Sequence, residues 1–327
     1  MFLQILSKRE HPIFAINHSS GGRSMKTWTL QGRLLNQVKI PALLTLLAFG
    51  TQAFSYQVFF EGRDQDIERK GHFQKKFKVP PFSESHMSFG QASNASLNPN
   101  SIKVFVWNML KGERKKFERD IKHHGADRDL FILQEGYHNN NNVRVLSEIP
   151  GTHWDFATSF WWMKEGATPG GTMLGSKVEP SVFLMKRTHD LEPIIKTPKT
   201  LSIGKYPIAG MQEELLVISI HGLNFTNTQA FESHMKLAEA EMATHTGPVI
   251  FAGDFNTRNW DRYNAMVDMA NRNKLHPVVF KDDKRIKPFG VYLDHSYVRG
   301  LSVKNARVLK DVKSSDHKAM TFEVAVE

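Results

Sequence analysis

Short apolar runs alternate with amphipathic segments through residues 101–327, a texture that predicts strands interleaved with helices. Seven runs rich in β-branched and aromatic residues have strand length: Ile102–Trp107, Leu130–Leu133, Ser181–Met185, Leu215–Ile220, Val249–Ala252, Val291–Leu293 and Ala319–Val326. Between them, helical spacing puts Phe117 and Ile121 on one face before Gly125. It does the same for Phe231, Met235, Ala238 and Met242 before Gly247, and for Tyr263, Met266, Val267 and Ala270. Strands with intervening helices make a layered α/β domain. Trp154 and Phe156 alternate as a strand would and are expected in the core. Trp161 and Trp162, just before the glycine-rich stretch Gly166–Gly171, fit either the core or an exposed substrate platform.

Upstream the texture changes. From Met25 a basic lead-in with Lys26, Arg33 and Lys39 precedes the apolar stretch Ile40–Phe49 and the small-residue ending Thr51-Gln52-Ala53, which is the layout of an export signal. That stretch is too short to span a hydrocarbon core of roughly 30 Å, so a cleaved signal is preferred and an uncleaved anchor is the alternative. A complete signal behind Met25 also makes residues 1–24 read as a start-site artefact. The plan is then a signal peptide over 25–53, a linker or amino-terminal extension over 54–100, and one folded domain over 101–327. Charged residues between Arg63 and Lys78, and the Asn- and Ser-rich run Gln91–Ser101, leave 54–100 little of its own for a core. The expected product is secreted or periplasmic.

The 327 residues include no cysteine, which excludes disulfide scaffolds, thiolate metal sites and cysteine nucleophiles; any metal must be held by oxygen or imidazole. The formal charge is +10, but residues 1–53 hold six basic residues and one acid, so half of the excess lies outside the mature chain. The remainder is compatible with a polyanionic substrate without pointing to one.

Polar residues favoured in catalysis recur where the apolar runs stop. Asn108 follows Val104–Trp107, Glu135 follows Phe131–Gln134, His221 follows Val217–Ile220, and Asp254 and Asn256 follow Val249–Gly253. One such residue is ordinary turn chemistry. Four of them, on neighbouring strands, would converge on one rim. Trp107-Asn108, Gln134-Glu135, Gly253-Asp254-Phe255-Asn256, Leu293-Asp294-His295 and Ser315-Asp316-His317, in this order, resemble the motif series of the endonuclease/exonuclease/phosphatase superfamily. The texture is closest to bacterial members whose substrate is not settled by sequence.

The resemblance covers residues 101–327 and implies a deoxyribonuclease-I-like fold, a four-layer α/β/β/α sandwich, with metal-assisted hydrolysis of a phosphoester. Glu135 and Asn108 would then hold a divalent ion, and Asp316 matches a position that binds metal or metal water. An all-oxygen set suits Mg²⁺ or Mn²⁺. Asp254 would orient and deprotonate the attacking water, and Asn256 would donate to that water or to a phosphoryl oxygen. His317 would stabilise the transition state with Asp294 fixing its ring, and His221 would be a phosphate ligand or general acid. Alternation points His295 to the other face as a structural residue; Tyr137 and Asn224 are expected along the rim. No Gly-x-Ser-x-Gly motif is present, so direct attack by water is preferred to a covalent intermediate.

The leading reading is a phosphodiesterase acting on nucleic acid. A phospholipid (sphingomyelinase-like) or inositol-phosphate hydrolase is the enzymatic alternative, and a non-catalytic binding module is the third; no obligate protein partner is evident. A nuclease predicts Lys111, Arg114, Arg258 and Arg262 flanking the cleft. An enzyme with a membrane-lipid substrate predicts exposed Trp161 and Trp162.

Overall fold

A computed structural model describes residues 14–17, 56–64, 74–164, 166–288 and 290–327. In chain order the strands are β1 (Phe14–Asn17), β2 (Gln57–Gly62), β3 (Phe77–Lys78), β4 (His86–Gly90), β5 (Ile102–Asn108), β6 (Leu130–Tyr137), β7 (His153–Trp162) and β8 (Thr168–Ser176). They continue as β9 (Val182–Arg187), β10 (Thr200–Pro207), β11 (Glu214–His221), β12 (Val249–Asp254), β13 (His276–Pro277), β14 (Asp294–Arg299), β15 (Leu301–Val308) and β16 (Met320–Val326). The α-helices are α1 (Phe117–Gly125), α2 (Asn140–Ser147), α3 (Thr228–Thr244) and α4 (Trp260–Arg272).

Strand β5 is apolar without a break from Val104 to Trp107 because both of its faces are covered. Val104 and Val106 enter a core between two sheets, while Phe105 and Trp107 pack with Phe117 and Ile121 of α1 and Val145 and Leu146 of α2. Strand β12 repeats the pattern in the other sheet. Its Ile250 and Ala252 face the central core, and Val249 and Phe251 pack with Phe231 and Met235 of α3 and Met266 of α4. Two mixed sheets flanked by helices result, with strand orders β1-β2-β9-β10-β11-β12-β14-β13 and β15-β16-β5-β6-β8-β7-β3. This is the four-layer α/β/β/α sandwich. Helices α2, α3 and α4 each start at an asparagine, Asn139, Asn227 and Asn259, whose side chain accepts the backbone N–H three residues on, in the first turn.

The registers bring the polar strand ends together. Parallel pairing of β11 with β12 sets His221 opposite Asp254, antiparallel pairing of β12 with β14 sets Asp254 opposite Asp294, and parallel β5 and β6 set Asn108 opposite Gln134. At Gly253, with φ +142°, a Cβ would lie 2.2 Å from the Ile220 carbonyl oxygen and 3.0 Å from Gln134 Nε2, so only glycine lets the sheets close this tightly beside Asp254.

Two expectations need correction. The described part of 54–100 is no linker: β2 lies in one sheet, β3 and β4 pair with β7 of the other, and Val58, Phe60, Phe77, Val79, Phe82 and Leu97 are buried. Its apolar residues are spread thinly among charges and become core only against strands far along the chain. The last expected strand before the carboxy-terminal motif lies three residues late, as β14 begins at Asp294 rather than covering Val291–Leu293. Of the upstream region, only Phe14–Asn17 are described, as an edge strand on β2. The signal segment 25–53 and the remainder of 1–24 lie outside the described residues.

Candidate active site

Strand ends β5, β6, β11 and β12, the start of β14 and the loop before β16 all deliver side chains to one rim. Asp254 is the hub, 2% exposed. Its Oδ2 accepts a 3.0 Å hydrogen bond from Asn108 Nδ2 and lies 3.8 Å from both His221 Nε2 and His317 Nε2, and its Oδ1 accepts from the Asn256 backbone N–H at 2.9 Å. Asn108 Nδ2 also reaches Glu135 Oε1 at 3.2 Å, and His221 Nε2 lies 3.6 Å from the same oxygen. Glu135 sits at φ +51°, where the register of β6 against β8 shifts between Leu133 and Gly136. That bulge re-aims the carboxylate into the rim.

His317 comes from the opposite sheet to Asp294 and meets it directly: Nδ1 lies 2.9 and 2.8 Å from the two carboxylate oxygens. Its loop is anchored below by buried Asp120 of α1, which accepts from the backbone N–H groups of Lys313 and Ser314 and from Ser314 Oγ. Trp107 Nε1 donates to the His317 carbonyl.

Electrostatics separates the roles of these groups. Burial pushes Asp254 up to about 7; His317 pulls the other way, and the neighbouring carboxylates of Asp294 and Glu135 add to the rise. Burial opposes charge on His317, but contact with Asp294, with Asp254 and Asp316 nearby, outweighs it and raises the imidazole to about 10. His221 moves the opposite way, held well below its usual value by burial and by the cations Lys199 and His317. At neutral pH the rim therefore holds one charged and one neutral imidazole around a carboxyl poised to exchange a proton.

Glu135, His221 and Asp254 form one set, and Asp254, Asp294 and His317 another, whose side-chain N and O atoms lie within 4.8 Å of one another. Asp316 joins neither set. It is exposed, its Oδ1 accepting from Ser315 Oγ at 3.3 Å. Asn108 faces the cluster with its amide nitrogen, while the oxygen expected as a ligand accepts from the Leu110 N–H. The Asn256 amide nitrogen donates to the Gly222 carbonyl at 3.0 Å, bracing the loop after β11, and its other N–H is directed to Asp254 Oδ2 at 3.5 Å. Arg262, expected at the cleft, is buried. Its guanidinium donates to the carbonyls of Leu223, Asn256 and Thr226 and to Thr226 Oγ1, clamping the two loops that carry His221 and Asn256. His295 packs on the far face against Phe255, Tyr263 and Tyr297 and meets Thr257 Oγ1 at 2.8 Å, as its alternation with Asp294 requires.

Lys199 escaped the sequence reading. Its ammonium lies 3.3 Å from His221 Nε2 and 3.2 Å from Glu192 Oε1 and is nearly buried. A lone lysine in Thr197-Pro198-Lys199-Thr200, at the beginning of a strand that was not foreseen, carries no local signal of this role.

A family model described as the endonuclease/exonuclease/phosphatase family matches residues 105–317, a span that contains every strand end of this rim. The chain belongs to the endonuclease/exonuclease/phosphatase family. It is accordingly a phosphoester hydrolase. A UPF0294 protein of Klebsiella pneumoniae (strain 342) is 33% identical over 230 residues, covering 68% of this chain and 81% of the relative. Among solved structures, an endonuclease/exonuclease/phosphatase from Beutenbergia cavernae superposes with a TM-score of 0.55 at 15% identity, covering 69% of this chain and 72% of that one. The catalytic domain of human Nocturnin gives 0.53 at 16%, covering 74% and 97%. A mannosyl-6-phosphatase of Bacteroides thetaiotaomicron gives 0.50 at 15%, covering 68% and 99%. At such identities these likenesses concern the endonuclease/exonuclease/phosphatase fold alone.

Proposed function

We propose that the protein is a divalent-metal-dependent phosphodiesterase that cleaves nucleic acid by direct attack of water on phosphorus. The environment of Asp254 carries this reading: a buried carboxyl, pushed up to about 7 and set among Asn108, His221 and His317, is matched to taking a proton from water near neutral pH. The water oxygen bonds to phosphorus, its proton passes to Asp254, and the bond to the leaving oxygen breaks on the opposite side. His317, kept charged by Asp294, faces the negative charge that accumulates on the phosphoryl oxygens. His221 would bind a phosphoryl oxygen through its imidazole, and the leaving oxygen takes its proton from a solvent water.

The donor set fits a hard cation. Three carboxylates, Glu135, Asp254 and Asp294, crowd one rim without a thiolate, and the repulsion of the other two is part of what raises Asp254. Glu135 would hold Mg²⁺ or Mn²⁺ with Asp254 beside it, and the ion would supply positive charge to a non-bridging oxygen.

Nucleic acid is favoured over lipid by the surroundings. Trp161 and Trp162 are half-buried, and the Lys78 ammonium covers Trp161 at 5.3 Å, so they form no exposed ridge for a bilayer. The loops leading from His221 and Asn256 instead pair Arg258 with Phe225, the guanidinium 4.7 Å from the ring; Phe225 is 64% exposed and Trp260, at the start of α4, 60%. Cations beside exposed rings suit a backbone with accessible bases. Cleavage of oligonucleotides in Mg²⁺, falling steeply with added salt, is the expected result. Hydrolysis of sphingomyelin vesicles without any cleavage of nucleic acid would replace this reading with the lipid one.

A further inference from the structure

Glu135 and His221 form one wall of a cavity of about 230 Å³ whose other walls the chemistry described so far leaves unused. Its walls include the rings of Phe77, Tyr137, Phe160 and Trp162, with the ammonium groups of Lys111 and Lys199. Phe77 meets Phe160 and Trp162 edge to face at ring separations of 5.2 and 5.3 Å, and Tyr137 meets Trp162 at 6.1 Å. Gly170, inside β8, makes room for this: a Cβ there would lie 2.9 Å from the Phe160 ring and 3.0 Å from that of Tyr137. Phe77 lies upstream of residues 105–317, so one wall of the cavity comes from outside the segment that the family model matches.

We infer that this cavity is a subsite for one unstacked nucleobase of the substrate, so that the enzyme acts on single-stranded and not on duplex nucleic acid. The inference rests on the phosphodiesterase reading and adds the form of the substrate. Three features define the occupant. The volume is below the roughly 300–1,000 Å³ of pockets that enclose a drug-sized ligand, so it has room for one ring system and not for a stacked pair.

The lining is aromatic yet not wholly apolar. Tyr137 is 6% exposed, and its hydroxyl, like the Asn224 side-chain oxygen, is buried with no hydrogen-bond partner among the described residues. An occupant that carries a donor and an acceptor on its edge would satisfy both atoms, which an acyl chain cannot do. The charge completes the selection. Glu135 and Glu192 also line the cavity, Glu192 being paired with Lys199 at 3.2 Å, and the Lys111 ammonium already lies 5.6 Å from the Tyr137 ring centre and 5.1 Å from that of Trp162, so the rings a quaternary ammonium headgroup would use are covered by a cation of the chain. A neutral planar base attached to an anionic phosphate meets no such repulsion. A base inside a duplex cannot enter without leaving its stack, which disfavours duplex substrates.

The test uses the full-length protein in Mg²⁺ on four probes: labelled single-stranded oligonucleotides, the same sequences as duplexes, single strands of equal length built of abasic sugar-phosphate, and sphingomyelin vesicles. The single strand should exceed the duplex in kcat/KM by at least about tenfold. Trp162→Ala should lower kcat/KM on the intact strand by about tenfold to a hundredfold, and change the abasic strand by less than about twofold. Should that variant fail to fold, Tyr137→Phe preserves the ring and should lower kcat/KM several-fold on the intact strand alone. Cleavage of duplex and abasic strands as fast as the intact single strand would overturn the base subsite while leaving the nuclease standing. Hydrolysis of vesicles with no cleavage of any oligonucleotide would overturn the nucleic-acid reading itself.

Discussion

His317 and Asp294 lie 2.8 Å apart although they belong to opposite sheets, His317 on the loop into β16 and Asp294 at the start of β14. The contact fixes which ring nitrogen faces the rim and keeps the imidazole charged. Asp294→Asn retains the volume and removes the charge, so kcat for phosphodiester hydrolysis should fall by about a hundredfold or more, with KM changing much less. Steady-state kinetics on one diester substrate checks this.

Arg262 should matter for the site without touching it. Its buried guanidinium donates to the carbonyls of Leu223, Asn256 and Thr226, and Arg262→Met removes that donor. The Asn256 carbonyl keeps the Arg258 N–H at 2.8 Å, so the expected loss of stability comes from the other acceptors and is about 2 kcal/mol, measured from the urea midpoint, accompanied by reduced kcat because the loops after His221 and Asp254 are no longer held in register.

A second network, on the far side of the molecule, sets how stability depends on pH. Buried Asp155 accepts from the Tyr56 hydroxyl at 2.5 Å and contacts His86 Nε2 at 2.8 Å and His153 Nε2 at 3.3 Å, tying β2 and β4 to β7. Burial works against the Asp155 charge, but His153 and His86 outweigh it and hold the carboxyl well below its ordinary value. Burial likewise opposes charge on His153, and Asp155 overrides it, raising the imidazole. A depressed carboxyl contributes stability above its unfolded value near 4, lost as pH falls through the lower folded value. A raised imidazole contributes below its unfolded value near 6.5, lost as pH climbs through the higher folded value. Urea midpoints should therefore decline at both ends of the range, and Asp155→Asn should flatten the profile while lowering its maximum by about 3 kcal/mol.

Export is testable apart from chemistry. Material recovered outside the cytoplasm should begin near Phe54, as read by amino-terminal sequencing. A product that retains Met1 in the cytosol would contradict it.

Much of the site was legible because strand ends carry strong local signals. Asn108, Glu135, His221, Asp254 and Asp294 each follow an apolar run, and parallel or antiparallel pairing at the same rim suffices to unite them. The roles of Asn108, Asn256 and Asp316 were harder to read because they depend on side-chain orientation. Lys199 and Arg262 were illegible for a different reason: a buried cation is defined by partners distant in sequence, Glu192 with His221 in one case and three loop carbonyls in the other. The same holds for β2 to β4, whose scattered Val58, Phe60 and Phe77 have no period of their own and find their core only after β7 and β9 exist.

The most direct measurement is the hydrolysis rate of a phosphodiester by the purified protein in Mg²⁺ and in chelator, each with Asp254→Ala beside the wild type. Hydrolysis in Mg²⁺, its loss in chelator, and a fall of at least about a hundredfold in the variant are the outcomes expected. Undiminished turnover in chelator, or an Asp254→Ala enzyme as fast as the wild type, would contradict a rim built to activate water beside a bound cation.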